Sequence, residues 1–549
     1  MNLHSSSPNS YGYLLPLLVL LLFSPSLGRS STSRKLKQQL DDGEADSLPY
    51  IWPLPWNYTF GNQTLNVDPN LSLVTSGNGG GSPIVSQAFN RYKGIIFEHS
   101  SRFPKIGVDY DLTKVNVIVH SEDEELQLGV DESYSLMVAG RDELSIIGEI
   151  TIEANTVYGA IRGLETLSQL CDFDYETKKI ELYKAPWYIQ DKPRFTYRGL
   201  LLDTSRHYLP IEIIKQAIDS MSYAKLNVLH WHIIDEESFP LEVPTYPNLW
   251  KGAYTKWERY TVDDAYEIVN FAKLRGINVM AEVDVPGHAE SWGIGYPDLW
   301  PSPSCREPLD VSKNFTFDLI SGILADMRKI FPFELFHLGG DEVHTDCWNS
   351  TPHVKQWLQD RNFTGKDAYK YFVLRAQEIA ISFNWIPVNW EETFNSFAVD
   401  LNPKTVVHNW LGSGVCPKAV AKGFKCIYSN QGFWYLDHLD VPWDSVYYAD
   451  PLEGITDASE KKLVLGGEVC MWAETADPSN VLQTIWPRAA AAAERLWSDE
   501  STLASVNSTV LPRLQKFRCQ LTRRGVEAAP VKNSYARSAP DGPGSCYKQ

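Results

Sequence analysis

The stretch "FHLGGDEVHTDCW", residues 336–348, places two acids side by side, Asp341 and Glu342, directly after a pair of glycines. Hydrolysis of a glycosidic bond usually draws on two carboxyl groups flanking the sugar ring. Neighbours in sequence can hardly bracket a sugar, so the pair suggests a different division of labour. Two glycines let the backbone turn tightly against a ligand. Glu342 has the longer reach and suits protonation of a leaving oxygen, a contribution of roughly 10²- to 10⁴-fold. An ionised Asp341 beside it is expected to raise the pKa of Glu342 by like-charge repulsion. The chemistry closes if the substrate brings its own nucleophile. The carbonyl oxygen of a 2-acetamido group would attack its own anomeric carbon, while Asp341 orients the amide and offsets the positive charge of the oxazolinium that forms.

Two other chemistries compete. "HWHIID" carries His230 and His232 on one strand, the way some barrel hydrolases begin a metal site, with His288 and His408 available to complete it. The plainer reading is that both histidines point to the same strand face and hydrogen-bond inside the fold. A sugar-binding module without catalysis would explain the 18 tryptophans. It leaves unexplained why so many strands end on carboxylates, which are costly to bury without partners.

These residues need a frame that brings them together. After "DKPRFTYRGL" short apolar strands alternate with helical stretches: "YRGLLLDTS", "VLHWHIID", "NVMAEVDVPGH", "LFHLGGDE", "IPVNWEE", "TVVHNWL", "KCIYSNQ" and "LVLGGEVCMWAE". Between the first two, Ile214, Ala217, Ile218 and Met221 have the spacing of one helix face. Eight strands separated by helices fit a closed parallel (β/α)8 TIM barrel; no glycine-rich phosphate fingerprint supports an open doubly wound sheet. A barrel places chemistry at the C-terminal ends of its strands. There the sequence has Asp203 and Arg206, Asp235 and Glu236, Asp284 and His288, Asp341 and Glu342, Trp390 and Glu391, Trp410, Tyr435, Trp472 and Glu474. Arg198 is the exception, standing at the start of its strand. The expected organisation is a signal peptide (1–28), a polar linker or propeptide (29–47), a smaller α+β domain (48–190), the barrel (191–500), and a C-terminal helix with a disulfide-closed tail (501–549). In the α+β domain, "KVNVIVHS", "SYSLMVAG" and "SIIGEITIEA" read as strands and Thr156–Leu170 as a helix.

A formal charge of −18 leaves no basic excess for a nucleic-acid partner. Leu14–Phe23 is an apolar run too short to span a bilayer, with Ser26 and Gly28 at the −3 and −1 positions of a cut after Gly28, although no Lys or Arg precedes it. Seven Asn-X-Ser/Thr sequons, at Asn57, Asn62, Asn70, Asn314, Asn349, Asn362 and Asn507, agree with secretory entry. In an oxidising compartment Cys305 is expected to pair with Cys347 and Cys519 with Cys546. Cys416–Cys426 is a further candidate pair, and Cys171 and Cys470 are expected as buried thiols.

The block "LFHLGGDEVHTDCW" resembles the signature of the family 20 β-N-acetylhexosaminidases, and the likeness continues through "YRGLLLDTSRHYLP", "NVLHWHIIDEESFPLE", "AEVDVPGHAESWG" and "GGEVCMWAE". Plant vacuolar members look nearest in pattern. The resemblance implies Glu342 as general acid/base, Asp341 as the acetamide-orienting carboxylate, and Tyr435 as hydrogen-bond donor to the acetamido oxygen. It implies Trp390, Trp410 and Trp472 as walls around the sugar, Arg198 and Glu474 on its outer hydroxyls, and Asp437 near the 6-hydroxyl. Asp235 and His288 belong to the network behind the acid. No metal or cofactor is implied; the partner is a glycan, and a homodimer in the vacuole or extracellular space is the family expectation. Two features depart from animal lysosomal relatives. The N-terminal domain lacks their cysteine pair, and Asp437–His438 stands where relatives that take anionic sugars have Asn-Arg, so neutral GlcNAc and GalNAc termini are expected. His344 has no assigned role.

Overall fold

The computed structural model describes residues 48–99, 110–140, 150–501 and 506–532. The expected signal peptide, the linker, Cys546 and the side chain of Asn507 lie outside them. Residues 49–549 form one compact unit.

Its first part is a six-stranded sheet in the order β1-β2-β4-β3-β6-β5, formed by β1 (Asn57–Ser76), β2 (Leu112–Val119), β3 (Tyr134–Val138), β4 (Ile150–Ala154), β5 (Cys171–Asp174) and β6 (Lys179–Asp191). β1 is long enough to pair in parallel with β2 and antiparallel with β6. The helices Pro83–Ile96 and Val157–Leu170 pack together, the second capped by the Thr156 side chain on the Gly159 amide. β1 and β6 carry none of the strand patterns read above: β1 contains "GNQT" and "DPN", turn-like pieces that tertiary pairing overrides.

The second part is the closed eight-stranded parallel barrel: β7 (Tyr197–Asp203), β8 (Val228–Ile234), β9 (Asn278–Val283), β10 (Leu335–His337), β11 (Ile386–Trp390), β12 (Val406–Asn409), β13 (Lys425–Tyr428) and β14 (Val464–Met471), with β14 pairing back onto β7. All eight coincide with the apolar segments of the sequence. The helix Ile211–Tyr223 buries Ile214, Ala217, Ile218 and Met221 against the barrel. Tyr197, Val228, Met280, Leu335, Val388, Val406, Ile427 and Leu465 form an apolar cluster, one residue from each strand. Such a layer fills the barrel interior and leaves it a solid scaffold rather than a pore.

Cys305–Cys347 and Cys416–Cys426 are disulfides. Cys519 is disulfide-bonded, Cys470 is a buried free thiol and Cys171 a half-buried one. Asn57, Asn62, Asn70, Asn314, Asn349 and Asn362 are exposed. Among the described residues no helix is long and apolar enough to cross a membrane.

Candidate active site

Strand β10 ends at His337, and the chain turns through Gly339 (φ 61°) and Gly340 (φ 97°) into the acid pair. The turn is closely packed. A Cβ on Gly339 would stand 1.9 Å from Asp284 Oδ1, and the Gly340 amide donates to that same oxygen at 2.9 Å. Glu342 itself takes a left-handed backbone (φ 49°), a strained conformation for a non-glycine residue. The two acids then differ sharply: Glu342 is 56% exposed and Asp341 13%. Oδ1 of Asp341 is buried and accepts no N–H or hydroxyl of the protein, although the Asp341 carboxylate hydrogen-bonds the Asp284 carboxyl.

His288, after β9, links the pair to the barrel interior. Its Nε2 lies 3.5 Å from Glu342 Oε2 and 3.7 Å from Asp341 Oδ2, and its Nδ1 lies 3.0 Å from Asp235. Burial alone would lower its pKa. The charges of Asp341 and Asp284 and the hydrogen bonds to Asp235 and Glu342 outweigh that, so the imidazole is held protonated. The like-charge expectation for Glu342 is therefore overturned. The hydrogen bond from His288, with the charges of His288, His344 and Arg206, holds Glu342 below the usual carboxylate range. The raised acid is instead Asp284, through burial and the charge of Asp341.

Behind His288 a chain of buried groups continues inward. Asp235 also contacts His232 Nε2 at 2.8 Å and Arg206 at 2.8 Å. His232 Nδ1 lies 2.5 Å from Glu282, which also meets His230, His337 and the indole N–H of Trp390. His230 reaches Glu468, which accepts from the Tyr197 hydroxyl at 2.5 Å. Burial works against charge on both histidines of "HWH", yet the flanking carboxylates raise His230 to about 9 and His232 to about 10. These residues form an internal network of histidines and carboxylates.

Tyr435, Trp390, Trp410 and Trp472 form one aromatic cluster with Leu201 and Cys470. The Tyr435 and Trp410 rings stack at 6.2 Å, and Trp472 lies 6.1 Å from Tyr435 and 6.0 Å from Trp390. Trp390 is 1% exposed and stacks on His408 at 4.2 Å, so it forms the floor beneath the two half-buried tryptophans and not a wall. Burial keeps the Tyr435 phenol neutral, a hydrogen-bond donor. Asp437 is raised to about 6 by burial, against the opposing charge of His438 at 3.8 Å, and its Oδ1 also lacks a protein partner.

Arg198 does not belong here. It is fully buried at the start of β7, donating to Glu132 at 2.6 Å and to the carbonyls of Phe195 and Lys225. Its side chain joins the barrel's N-terminal end to the α+β domain, the opposite end from the acids. Arg206, after the C-terminal end of β7, occupies the expected place. It pairs with Asp203 (3.1 Å) and Asp235 (2.8 Å), stands over the Trp472 ring, and lies 3.9 Å from Glu474, whose side chain is 55% exposed. The signal was available: of the two arginines, only Arg206 follows its strand. Glu282, Asp284 and Glu392 are further site residues assigned no role from sequence. Glu392 accepts the Trp410 indole N–H at 2.9 Å and is raised to about 8 by burial and the charge of Asp341.

Acids and aromatic rings meeting at the mouth of a parallel barrel fit a carbohydrate-cleaving enzyme, a glycoside hydrolase. Residues 195–500 match the catalytic domain of glycosyl hydrolase family 20 and residues 51–170 a "beta-acetyl hexosaminidase like" domain, so the chain belongs to that family. It is 72% identical to Beta-hexosaminidase 1 of Arabidopsis thaliana over 92% of this chain and 95% of that one, and 53% identical to Beta-hexosaminidase 3 of the same plant over 91% and 94%. A solved chitobiase from Flavobacterium johnsoniae superposes with a TM-score of 0.77 at 31% identity, covering 87% of this chain and 73% of the other.

Proposed function

We propose that the enzyme releases terminal, non-reducing β-linked GlcNAc or GalNAc from N-glycans or chito-oligosaccharides, with retention of configuration and with the substrate's acetamide as nucleophile. The observation that carries this reading is the buried Oδ1 of Asp341, which meets no N–H or hydroxyl of the protein, beside the exposed Glu342. An acceptor without a protein donor is suited to an amide N–H of the substrate. Tyr435 donates to the acetamido oxygen from the other side, and Arg206 with Glu474 takes the outer hydroxyls, closing the pocket around a chain end.

In the first step Glu342 gives its proton to the glycosidic oxygen, the C1–O bond breaks, and the acetamido oxygen closes on C1 as an oxazolinium balanced by Asp341. In the second, the Glu342 carboxylate takes a proton from water, whose oxygen attacks C1 and reopens the ring. The free site holds the required proton on His288. Substrate covering Glu342 removes water from it and favours its neutral form, so that proton passes across the His288–Glu342 contact. Asp437 disfavours anionic sugars, most strongly above pH 6, where its carboxylate is charged. Six exposed sequons and the disulfides support passage through the secretory pathway, with the vacuole or the extracellular space as destination and a homodimer as working state.

The test compares an aryl β-GlcNAc with the matching aryl β-glucoside. Efficient cleavage of the first and negligible cleavage of the second is expected, with Glu342→Gln abolishing the activity. Comparable rates on both would rule out the acetamide's part.

A further inference from the structure

Tyr435 and Asp437 lie on a stretch, residues 435–442, that has no regular structure beyond a single bridge from Tyr435 to Cys470 and the Leu436 amide donating to the Cys470 carbonyl at 2.8 Å. Past that bridge no strand among the described residues pairs with the chain, and its carbonyls must find donors elsewhere. One side chain supplies donors to three of them, the His438 carbonyl also accepting from the Val441 amide at 3.3 Å. The guanidinium of Arg488 donates to the carbonyls of Leu436, His438 (2.8 Å) and Val441 (3.3 Å), and to that of Thr484 (3.0 Å). Three of the four acceptors belong to the stretch that carries the two sugar-facing groups. Arg488 is 7% exposed and opens the helix Arg488–Trp497, every residue of which is buried, so the donor fork stands on a rigid base.

From this geometry we infer that Arg488 is a positioning residue for the sugar site: it fixes the Tyr435–Val441 backbone so that the Tyr435 hydroxyl and the Asp437 carboxylate converge on the bound sugar. The inference rests on the reading of Tyr435 given above. A guanidinium suits the task because its planar fork serves several carbonyls at once, whereas an ammonium is a point charge on a flexible stem. Main-chain carbonyls, not side chains, are its ligands, so the clamp sets where the backbone runs whatever side chains it carries.

The test is a double-mutant cycle of Arg488→Lys and Tyr435→Phe, with kcat and KM measured on an aryl β-GlcNAc and folding followed by thermal unfolding. If Arg488 acts by placing the Tyr435 hydroxyl, Arg488→Lys lowers kcat by about 10-fold in the wild-type background and by less than about 2-fold once that hydroxyl is gone. A merely structural residue would cost the same factor in both backgrounds, and that result overturns the proposal. So does a folded Arg488→Lys enzyme with unchanged kcat. Should the lysine variant fail to fold, Arg488→Gln, whose amide retains two donors for the same carbonyls, enters the same cycle with the same criteria. A Tyr435→Phe enzyme with full activity would instead sink the reading of Tyr435, and the proposal with it.

Discussion

Charge at the single-residue scale decides how this site holds its proton. His288 carries it and Glu342 does not, because the imidazole faces Asp341, Asp235 and Glu342 together. The folded site therefore keeps a proton on His288 far above the pH at which an isolated carboxyl, with a pKa of about 4.3, would lose it. In a His288→Asn enzyme the proton has to reside on Glu342 itself. The alkaline limb of the kcat/KM–pH profile then moves to lower pH, toward the ordinary carboxyl range; an unmoved limb would show that His288 is not the proton's store. The two arginines separate as cleanly. Arg206→Ala removes the charge shared by the buried carboxylates Asp203 and Asp235 and the charge beside Glu474, and is expected to lower kcat/KM by about 10²-fold or more together with a loss of stability. Arg198→Ala leaves Glu132 paired with Arg162 but takes the donors from the Phe195 and Lys225 carbonyls and empties a fully buried site, so unfolding free energy is expected to fall, by about 1–3 kcal/mol for each carbonyl left unpaired, with kcat/KM nearly unchanged. Urea titration and kinetics on both variants distinguish the two.

At the scale of elements, the barrel strands were legible because each is a short apolar run ending on a polar or aromatic residue, and closure into a barrel sends those ends to one rim. The acid pair, His288 and the aromatic cluster followed from that rule. Arg198 was misplaced where motif likeness was preferred to the rule itself. β1 escaped because its strand character comes from pairing with β2 and β6 over distant sequence, not from its own pattern. The interior network also escaped: nothing local in "MAEV" tells that Glu282 will meet His230, His232, His337 and Trp390, contacts drawn from three other strands. The turn after β10 makes its own prediction. Gly339→Ala would drive a methyl group into the Asp284 carboxyl at a positive φ, so both stability and kcat are expected to fall, with the loss visible in thermal unfolding and in turnover of the aryl substrate.

On the scale of the whole molecule, the net negative charge, the barrel and the aromatic cluster beside the acid pair fit a glycoside hydrolase. The α+β domain contributes to this from beneath. Glu132 binds Arg162 of its own domain and Arg198 and Asn227 of the barrel, securing the floor on which the network stands. The account's central claim is that the oxygen attacking C1 belongs to the substrate. A series of aryl β-GlcNAc substrates carrying mono-, di- and trifluoroacetyl in place of acetyl tests it most directly, since each fluorine weakens the carbonyl oxygen as a nucleophile while leaving the leaving group alone. A steep, stepwise fall of kcat/KM along the series is predicted. Rates that stay level across it would contradict the claim and return the attack to a side chain or to water.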